Sequence, residues 1–144
     1  MREVLVTRWN DIGRRLVGLA ESFPEESYDF RPTVEVRSFA DQLRHVAFWN
    51  DYLRDSLRGA DPDGAANELS ADEYPTRTKI LLALRESFDG VHSELASAKG
   101  DAQIGSKELD MLVSYIEHAG EHYGQLVIYA RLCGITPPVS LAGV

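Results

Sequence analysis

Two histidines four residues apart, His118 and His122, are the residues whose spacing most directly predicts chemistry. Residues four apart lie one turn above each other on the same face of an α-helix, so both imidazoles point the same way. Such pairs chelate metal ions in zinc enzymes, because each neutral imidazole offers a nitrogen lone pair. The spacing alone favours two hydrogen-bonded core histidines over a metal site, and both interpretations stay open.

A third histidine, His45, is the candidate that would complete a metal site. On a helix it shares a face with Gln42, Trp49 and Tyr52, and therefore looks toward an aromatic interior. Three protein ligands with one open position are typical of catalytic zinc sites, whereas structural sites are closed. His45 can meet the pair only if its helix runs antiparallel to theirs with a suitable stagger, which the sequence does not give.

The other reactive side chains do not extend this site. His92 lies at the edge of an apolar stripe and is interpreted as a boundary histidine. Cys133 lies about 16 Å along the helix from His122 and is interpreted as a small packed hydrophobe. Glu117 and Glu121 point away from the histidines toward solvent. We therefore assign no general base and no catalytic residue.

Two further groups of side chains share the faces of the histidines. Gln42 and Gln125 do so but do not titrate. Aromatic residues also lie on these faces, and at helical spacing such residues more often belong to the core than to the wall of a substrate pocket. They are Trp49, Tyr52, Tyr115 and Tyr129.

Four amphipathic helices are predicted to position these residues, because apolar residues recur at helical spacing in four blocks without strict alternation. The class is therefore all-α, and a four-helix bundle in one domain, 1–144, is the expected architecture. Ser38 and Asp41 form the pattern of a capping box, the best-defined helix start. The predicted helices cover residues 3–22, Ser38 to Gly59, 76–99 ending at Gly100, and a last one that begins after Ser106 and ends at Gly134.

The connection between the second and third helices is long, polar and rich in glycine and proline. Its roughly 16 residues could span up to about 50 Å when extended. A helix of about 20 residues is only about 30 Å long. The connection can therefore cross the whole bundle, which predicts that these two helices run parallel.

Composition narrows the class of partner. The 144 residues are 44% hydrophobic, enough for one core, and the formal net charge is -8. This charge argues against nucleic acid and against an anionic membrane surface as partners. The one cysteine cannot form an internal disulfide. No signal-peptide pattern and no membrane-spanning run is present, so a cytoplasmic location is expected.

Two stretches closely resemble the DinB-like (YfiT-like) metalloenzymes, namely YDFRPTVEVRSFADQLRHVAFWN and EHAGEHYGQLVIYARLCGITPP. The resemblance spans nearly the whole chain, and RSFADQLRHV, HYGQL and LCGITPP are its most specific pieces. In that family, a histidine early in the second helix and a His-x-x-x-His pair before Gly-Gln hold a divalent metal. The resemblance thus implies His45, His118 and His122 as ligands of a divalent ion, with zinc or nickel preferred over iron or manganese.

The resemblance also implies a divalent-metal-dependent enzyme with an open coordination position. Three neutral imidazoles leave the ion its full positive charge, which suits Lewis-acid chemistry on a small-molecule substrate. Some relatives use a low-molecular-weight thiol, which predicts an S-transferase or isomerase; a hydrolase is the other reaction considered. A non-catalytic metal-binding or structural protein is the alternative. Because the ligands must be deprotonated, metal occupancy is expected to fall below about pH 6.5.

The helix of the histidine pair also carries Gly120 and Gly124, each of which costs about 1 kcal/mol relative to alanine. With Val113 and Val127 they form a small, smooth stripe opposite the histidines. Such a stripe suits close approach of another helix, either from the same bundle or from a second copy. Resemblance to dimeric relatives favours the second copy, so a homodimer is predicted.

Overall fold

The computed structural model describes residues 1–97 and 104–141. No β-strand occurs within these two ranges, which confirms the all-α prediction. A 3-10 turn, Glu25–Ser27, and a short helix, Pro138–Leu141, were not predicted, because one turn is too short to show a periodic pattern. The α-helices are α1 Arg2–Ser22, α2 Phe39–Leu57, α3 Arg77–Ser97, α4 Ser106–Leu132 and α5 Pro138–Leu141.

The four long helices form a bundle in which each packs mainly against two others, in the cyclic order α1, α3, α2, α4. Helices α2 and α3 run parallel. Asn50 near the middle of α2 donates to Ser87 at 3.1 Å, and Arg58 after its end donates to Glu94 near the end of α3 at 2.6 Å. These matched levels confirm the direction predicted from the long connection.

Helices α2 and α4 run antiparallel, as a shared histidine site requires. Near the start of α2, Gln42 donates to Gln125 of α4 at 2.9 Å. Two turns further along α2, Trp49 packs against Tyr115, which lies ten residues earlier in α4. The level of His45 on α2 therefore falls between these two contacts, beside the middle of α4.

The core lies between all four helices and does not depend on the histidines. Trp9 of α1 is buried, and its indole donates to the Phe88 carbonyl oxygen at 3.0 Å. At the other end of the bundle Phe23 stacks on Phe39 with ring centroids 3.6 Å apart. Burial of such aromatic and leucine side chains supplies most of the favourable free energy of a bundle. Within the described ranges, no helix combines the length and apolar character needed to cross a bilayer.

The helix ends largely follow their sequence signals. Ser38 accepts from the Asp41 amide and Asp41 accepts from the Ser38 amide, so the predicted capping box is confirmed. Gly59 and Gly134, with φ of +84° and +73°, follow the ends of α2 and α4 as predicted. Helix α4 begins at Ser106 itself rather than after it, because Gly105 takes the cap position, where glycine is accepted. The predicted end of the third helix at Gly100 lies outside the described residues.

Residues 58–76, here called the crossover, return along the outside of α2 from its end to the start of α3. The Leu69 amide donates to the Arg44 carbonyl at 3.3 Å, and the Arg44 side chain donates to the Tyr74 carbonyl at 3.0 Å. Gly64 lies so close to Trp49 that a Cβ there would be 2.9 Å from the indole ring. The crossover therefore covers α2 at the level of His45 and Trp49.

Candidate metal centre

Helices α2 and α4 bring His45, His118 and His122 together. One ring nitrogen from each lies within 4.8 Å of the others. The ring centroids are 4.6 to 5.1 Å apart, and the Nε2 atoms of His45 and His118 are separated by 3.0 Å. The three residues that the sequence identified as candidate ligands thus form one cluster.

The stagger that the sequence left open is seen in how far α4, with 27 residues, extends beyond α2, with 19 residues. Helix α4 extends past the start of α2, where Tyr129 donates to the carbonyl oxygen of Arg37 at 2.8 Å. This overhang moves His118 and His122 down to the level of His45.

Hydrogen bonds fix the tautomer of two of the rings. His45 Nδ1 lies 2.6 Å from the carbonyl oxygen of Asn67, and His122 Nδ1 lies 2.5 Å from Oε1 of Gln42. Because a carbonyl oxygen can only accept, each Nδ1 carries the hydrogen and each Nε2 keeps a lone pair. Metal-binding histidines usually show this arrangement, in which a partner behind the ring orients it.

The third ring, His118, tests whether the cluster fits a cation. His45 Nε2 has no hydrogen to give, so without a cation His118 must donate through its own Nε2. Its Nδ1 is then a buried acceptor that has no partner among the described residues. Nitrogens bound at about 2.0 to 2.1 Å to one ion lie roughly 3.0 to 3.4 Å apart, close to the 3.0 Å separation here. The donor set therefore fits a divalent metal.

The cluster is neutral near pH 7. Burial, reinforced by the neighbouring histidines, lowers the pKa of His118 to about 4 and that of His122 to about 3. Burial also lowers the pKa of His45, although its hydrogen bond to Asn67 opposes the change. Protons therefore displace a metal only at a lower pH than at ordinary histidines, whose pKa is about 6.5.

Gln42 has a role that the sequence analysis missed. It is buried, accepts from His122, and donates to Gln125 at 2.9 Å and more weakly to the Tyr129 hydroxyl at 3.5 Å. The Tyr129 hydroxyl in turn donates to Arg37, so a chain of hydrogen bonds joins His122 to the start of α2. The signal was the three-residue spacing from Gln42 to His45, which places both on one face of α2.

Half-buried aromatic residues flank the cluster on the side toward the end of α2. Trp49 lies 6.4 Å from His45, 5.0 Å from Tyr52 and 6.4 Å from Tyr115, measured between ring centroids. Tyr115 lies 6.2 Å from His118. Tyr129, by contrast, is buried and belongs to the core.

The residues that the sequence excluded from the site lie outside it. The Nδ1 atom of His92 lies 3.0 Å from Oδ1 of Asn10 in α1, so this histidine does not join the cluster. Cys133 packs half-buried against the core, and burial raises the pKa of its thiol. Glu117 and Glu121 are exposed.

Two larger cavities lie away from the histidines. One of about 780 Å³ lies between α1 and α3 and has no contact with the cluster. The other, of about 730 Å³, is lined by Tyr52 and Met111 and by Arg2, Lys107 and Glu108. Because Met111 precedes His118 by two helical turns, this second cavity begins about 10 Å from the cluster.

An all-helical bundle with three convergent histidines between two antiparallel helices fits a metal-binding protein. A sequence profile of the DinB superfamily matches residues 8–126, a range that contains all three histidines. The match covers well over half of the chain, so the protein belongs to the DinB superfamily. No curated protein matches the sequence significantly.

Proposed function

We propose that the protein is a divalent-metal-dependent enzyme whose ligands are His45, His118 and His122. The observation that carries this proposal is the set of neutral imidazoles, two of them with the Nδ1 hydrogen already donated elsewhere. A bound divalent ion would supply Lewis acidity, which lowers the pKa of a thiol or polarises a carbonyl. Imidazole ligands suit zinc and nickel, with iron or manganese as alternatives.

The substrate is a small molecule that approaches from the aromatic side. Three protein ligands leave at least one coordination position free. Trp49 and Tyr52 offer apolar surface there and limit access of water. Burial raises the pKa of Tyr115 to about 12, so its hydroxyl stays protonated and can donate to a bound substrate. The cavity that begins at Tyr52 has room for the remainder of such a molecule.

Thiol chemistry is the reaction that the surroundings favour. Among the described residues, the hydrogen-bond partners of the three rings are amides and another imidazole, not carboxylates. A bound metal would lower the pKa of a water as well as that of a thiol. A thiol starts from a pKa of about 8.5 and water from about 15.7, so a low-molecular-weight thiol would form its anion more completely without a neighbouring base. The thiol would lose its proton to solvent, and its sulfur would bond to an electrophilic carbon while the bond from that carbon to a leaving group breaks. In an isomerisation, the sulfur would instead add to the substrate and leave again as the thiolate.

A non-catalytic metal-binding protein is the alternative. We propose that the protein is cytoplasmic, because its lone cysteine would stay reduced in that compartment.

Two measurements test the proposed function. Elemental analysis of protein purified without a metal-affinity tag should find about one divalent ion per chain. A screen of low-molecular-weight thiols with electrophilic substrates should then show thiol transfer that His122→Ala loses. Product release without a thiol would favour the hydrolase. Bound metal without turnover in either screen would favour the non-catalytic alternative, and absence of metal would refute the proposal.

We also propose that the protein is a homodimer that pairs through the outer face of α4. A Cβ built on Gly120 or Gly124 would meet no atom within 4 Å among the described residues, so packing inside the chain does not explain these glycines. Val113 and Ile128 on the same helix are 39% and 57% exposed. Val127, predicted to belong to this stripe, instead packs partly against the core.

A further inference from the structure

Asn67 in the crossover has an unusual backbone. It is the one non-glycine residue in the described ranges with a positive φ, at +62°. This left-handed conformation costs roughly 1 to 2 kcal/mol for most residues, and asparagine tolerates it better than they do. Its amide closes a turn by donating to the Gly64 carbonyl at 3.1 Å. The chain thus adopts a left-handed conformation at one specific point beside α2.

Both acceptor oxygens of Asn67 face α2. The carbonyl oxygen accepts from His45 Nδ1 at 2.6 Å, and the side-chain Oδ1 accepts from the Trp49 indole at 2.9 Å. His45 and Trp49 lie one turn apart on the same face of α2. One crossover residue therefore contacts both a proposed metal ligand and the aromatic ring beside it.

We propose that Asn67 is a positioning residue for the metal centre, an inference that rests on the proposed function. Its carbonyl holds the hydrogen of His45 on Nδ1, so that Nε2 presents its lone pair to the cluster. Its amide oxygen holds the Trp49 ring at the open side. The left-handed backbone is what aims the carbonyl, because a change of φ from +62° to about -60° would swing the carbonyl away from His45.

The contacts of Asn67 separate this role from a role in folding. Asn67 is exposed, and both of its oxygens bond to side chains of α2. The crossover is held to α2 independently, by the backbone bond between Leu69 and Arg44 and by the bond from the Arg44 side chain to the Tyr74 carbonyl. Loss of the Asn67 geometry should therefore disturb the histidine more than the bundle.

Three variants separate the backbone from the side chain. Asn67→Val disfavours positive φ strongly, because valine is β-branched. Asn67→Gly keeps both the positive φ and the carbonyl, and removes only the bond to Trp49. Ala65→Val is the matched control, since it adds the same side chain at an exposed position of the same turn where φ is ordinary.

Two readouts are needed. Nitrogen-15 NMR of the metal-free protein reports the His45 tautomer and the indole signal of Trp49, and chelator competition reports zinc affinity. Asn67→Val should mix the His45 tautomers and weaken zinc binding by about 10- to 100-fold, as loss of an orienting partner typically does. Asn67→Gly should shift the Trp49 signal while keeping the His45 tautomer and nearly the parent affinity. Ala65→Val should match the parent in both.

Unchanged tautomer and unchanged affinity in Asn67→Val would overturn the inference. Equal losses in Asn67→Val and Asn67→Gly would also overturn it, since the backbone carbonyl would then not be the determinant. If Asn67→Val fails to fold, Asn67→Ala replaces it, because alanine disfavours a positive φ less than valine does. Asn67→Ala should likewise mix the His45 tautomers and weaken zinc binding. If the parent protein binds no zinc, the proposed function fails, while the two NMR signals of the metal-free protein still decide the role of Asn67.

Discussion

Metal binding should resist acid far better than a site made of ordinary histidines. At pH 5, a histidine with pKa 6.5 is only about 3% neutral, so each such ligand weakens metal binding roughly 30-fold. Burial instead lowers the pKa of His118 to about 4 and that of His122 to about 3. At pH 5 these two are then about 90% neutral or more, and together they weaken binding by only about 10%.

Two ordinary histidines would weaken binding about 1000-fold under the same conditions, so the two cases are easily told apart. The assay is equilibrium dialysis against buffered zinc at several pH values between 8 and 4.5, with elemental analysis of the protein. A helical peptide with two histidines four apart serves as the control that titrates normally. Occupancy that declines with a midpoint near pH 6.5, together with the peptide, would refute the argument from burial.

Three further predictions follow from the contacts of the cluster and of α4. His122→Ala should abolish stoichiometric metal binding while circular dichroism and the melting temperature change little, because the core is built from apolar residues elsewhere; loss of helicity on chelation would instead indicate a structural metal. Gln42→Leu should weaken zinc binding about 10- to 100-fold, because His122 loses its hydrogen-bond acceptor. Gln42→Glu keeps an acceptor oxygen and should keep the zinc affinity, so equal affinity in the two variants would contradict this role of Gln42. Light scattering of the parent protein should give twice the monomer mass, and a monomer mass would exclude the dimer. Gly124→Arg should reduce the mass to that of a monomer without unfolding the chain, since arginine has a higher helix propensity than glycine.

The parts of the fold that depend on local sequence were predictable. The capping box at Ser38 and the glycines after α2 and α4 act over a few residues, so their patterns identify helix ends directly. The parallel direction of α2 and α3 followed from reach alone, because the connection is long enough to return along the bundle. The start of α4 was misplaced by one residue, because Gly105 gives no side-chain signal.

In the candidate site, too, the local part was predictable and the part that depends on tertiary contacts was not. His118 and His122 are one turn apart on one helix, so the sequence places them together without knowledge of the fold. Their meeting with His45 depends on how far α4 extends past α2, which is set by tertiary contacts such as that of Tyr129 with Arg37. No periodic pattern in the sequence encodes that stagger. Helical spacing therefore made His45 a candidate, and resemblance to the family, rather than spacing, implied that it shares one site with the pair.

The orienting residues behind the rings were the least predictable. Gln42 lies on the predicted face, yet its role emerges only once the Nδ1 atom of His122 is seen to need an acceptor. Asn67 is 22 residues from His45 in a polar loop, and asparagine is common in loops for reasons unrelated to a site. Interactions of this kind depend on one angle of one residue, which composition and periodicity do not report.

The parallel arrangement of α2 and α3 gives the long connection a consequence for the site. Had these two helices been antiparallel, a short turn would join them at one end of the bundle, far from His45. Because they are parallel, the chain must return along the full length of α2, and it passes beside His45 on the way. Asn67 can contact that ring only because of this return path. The topology therefore supplies a ligand-orienting group from a loop, on the face of α2 that the other helices leave uncovered.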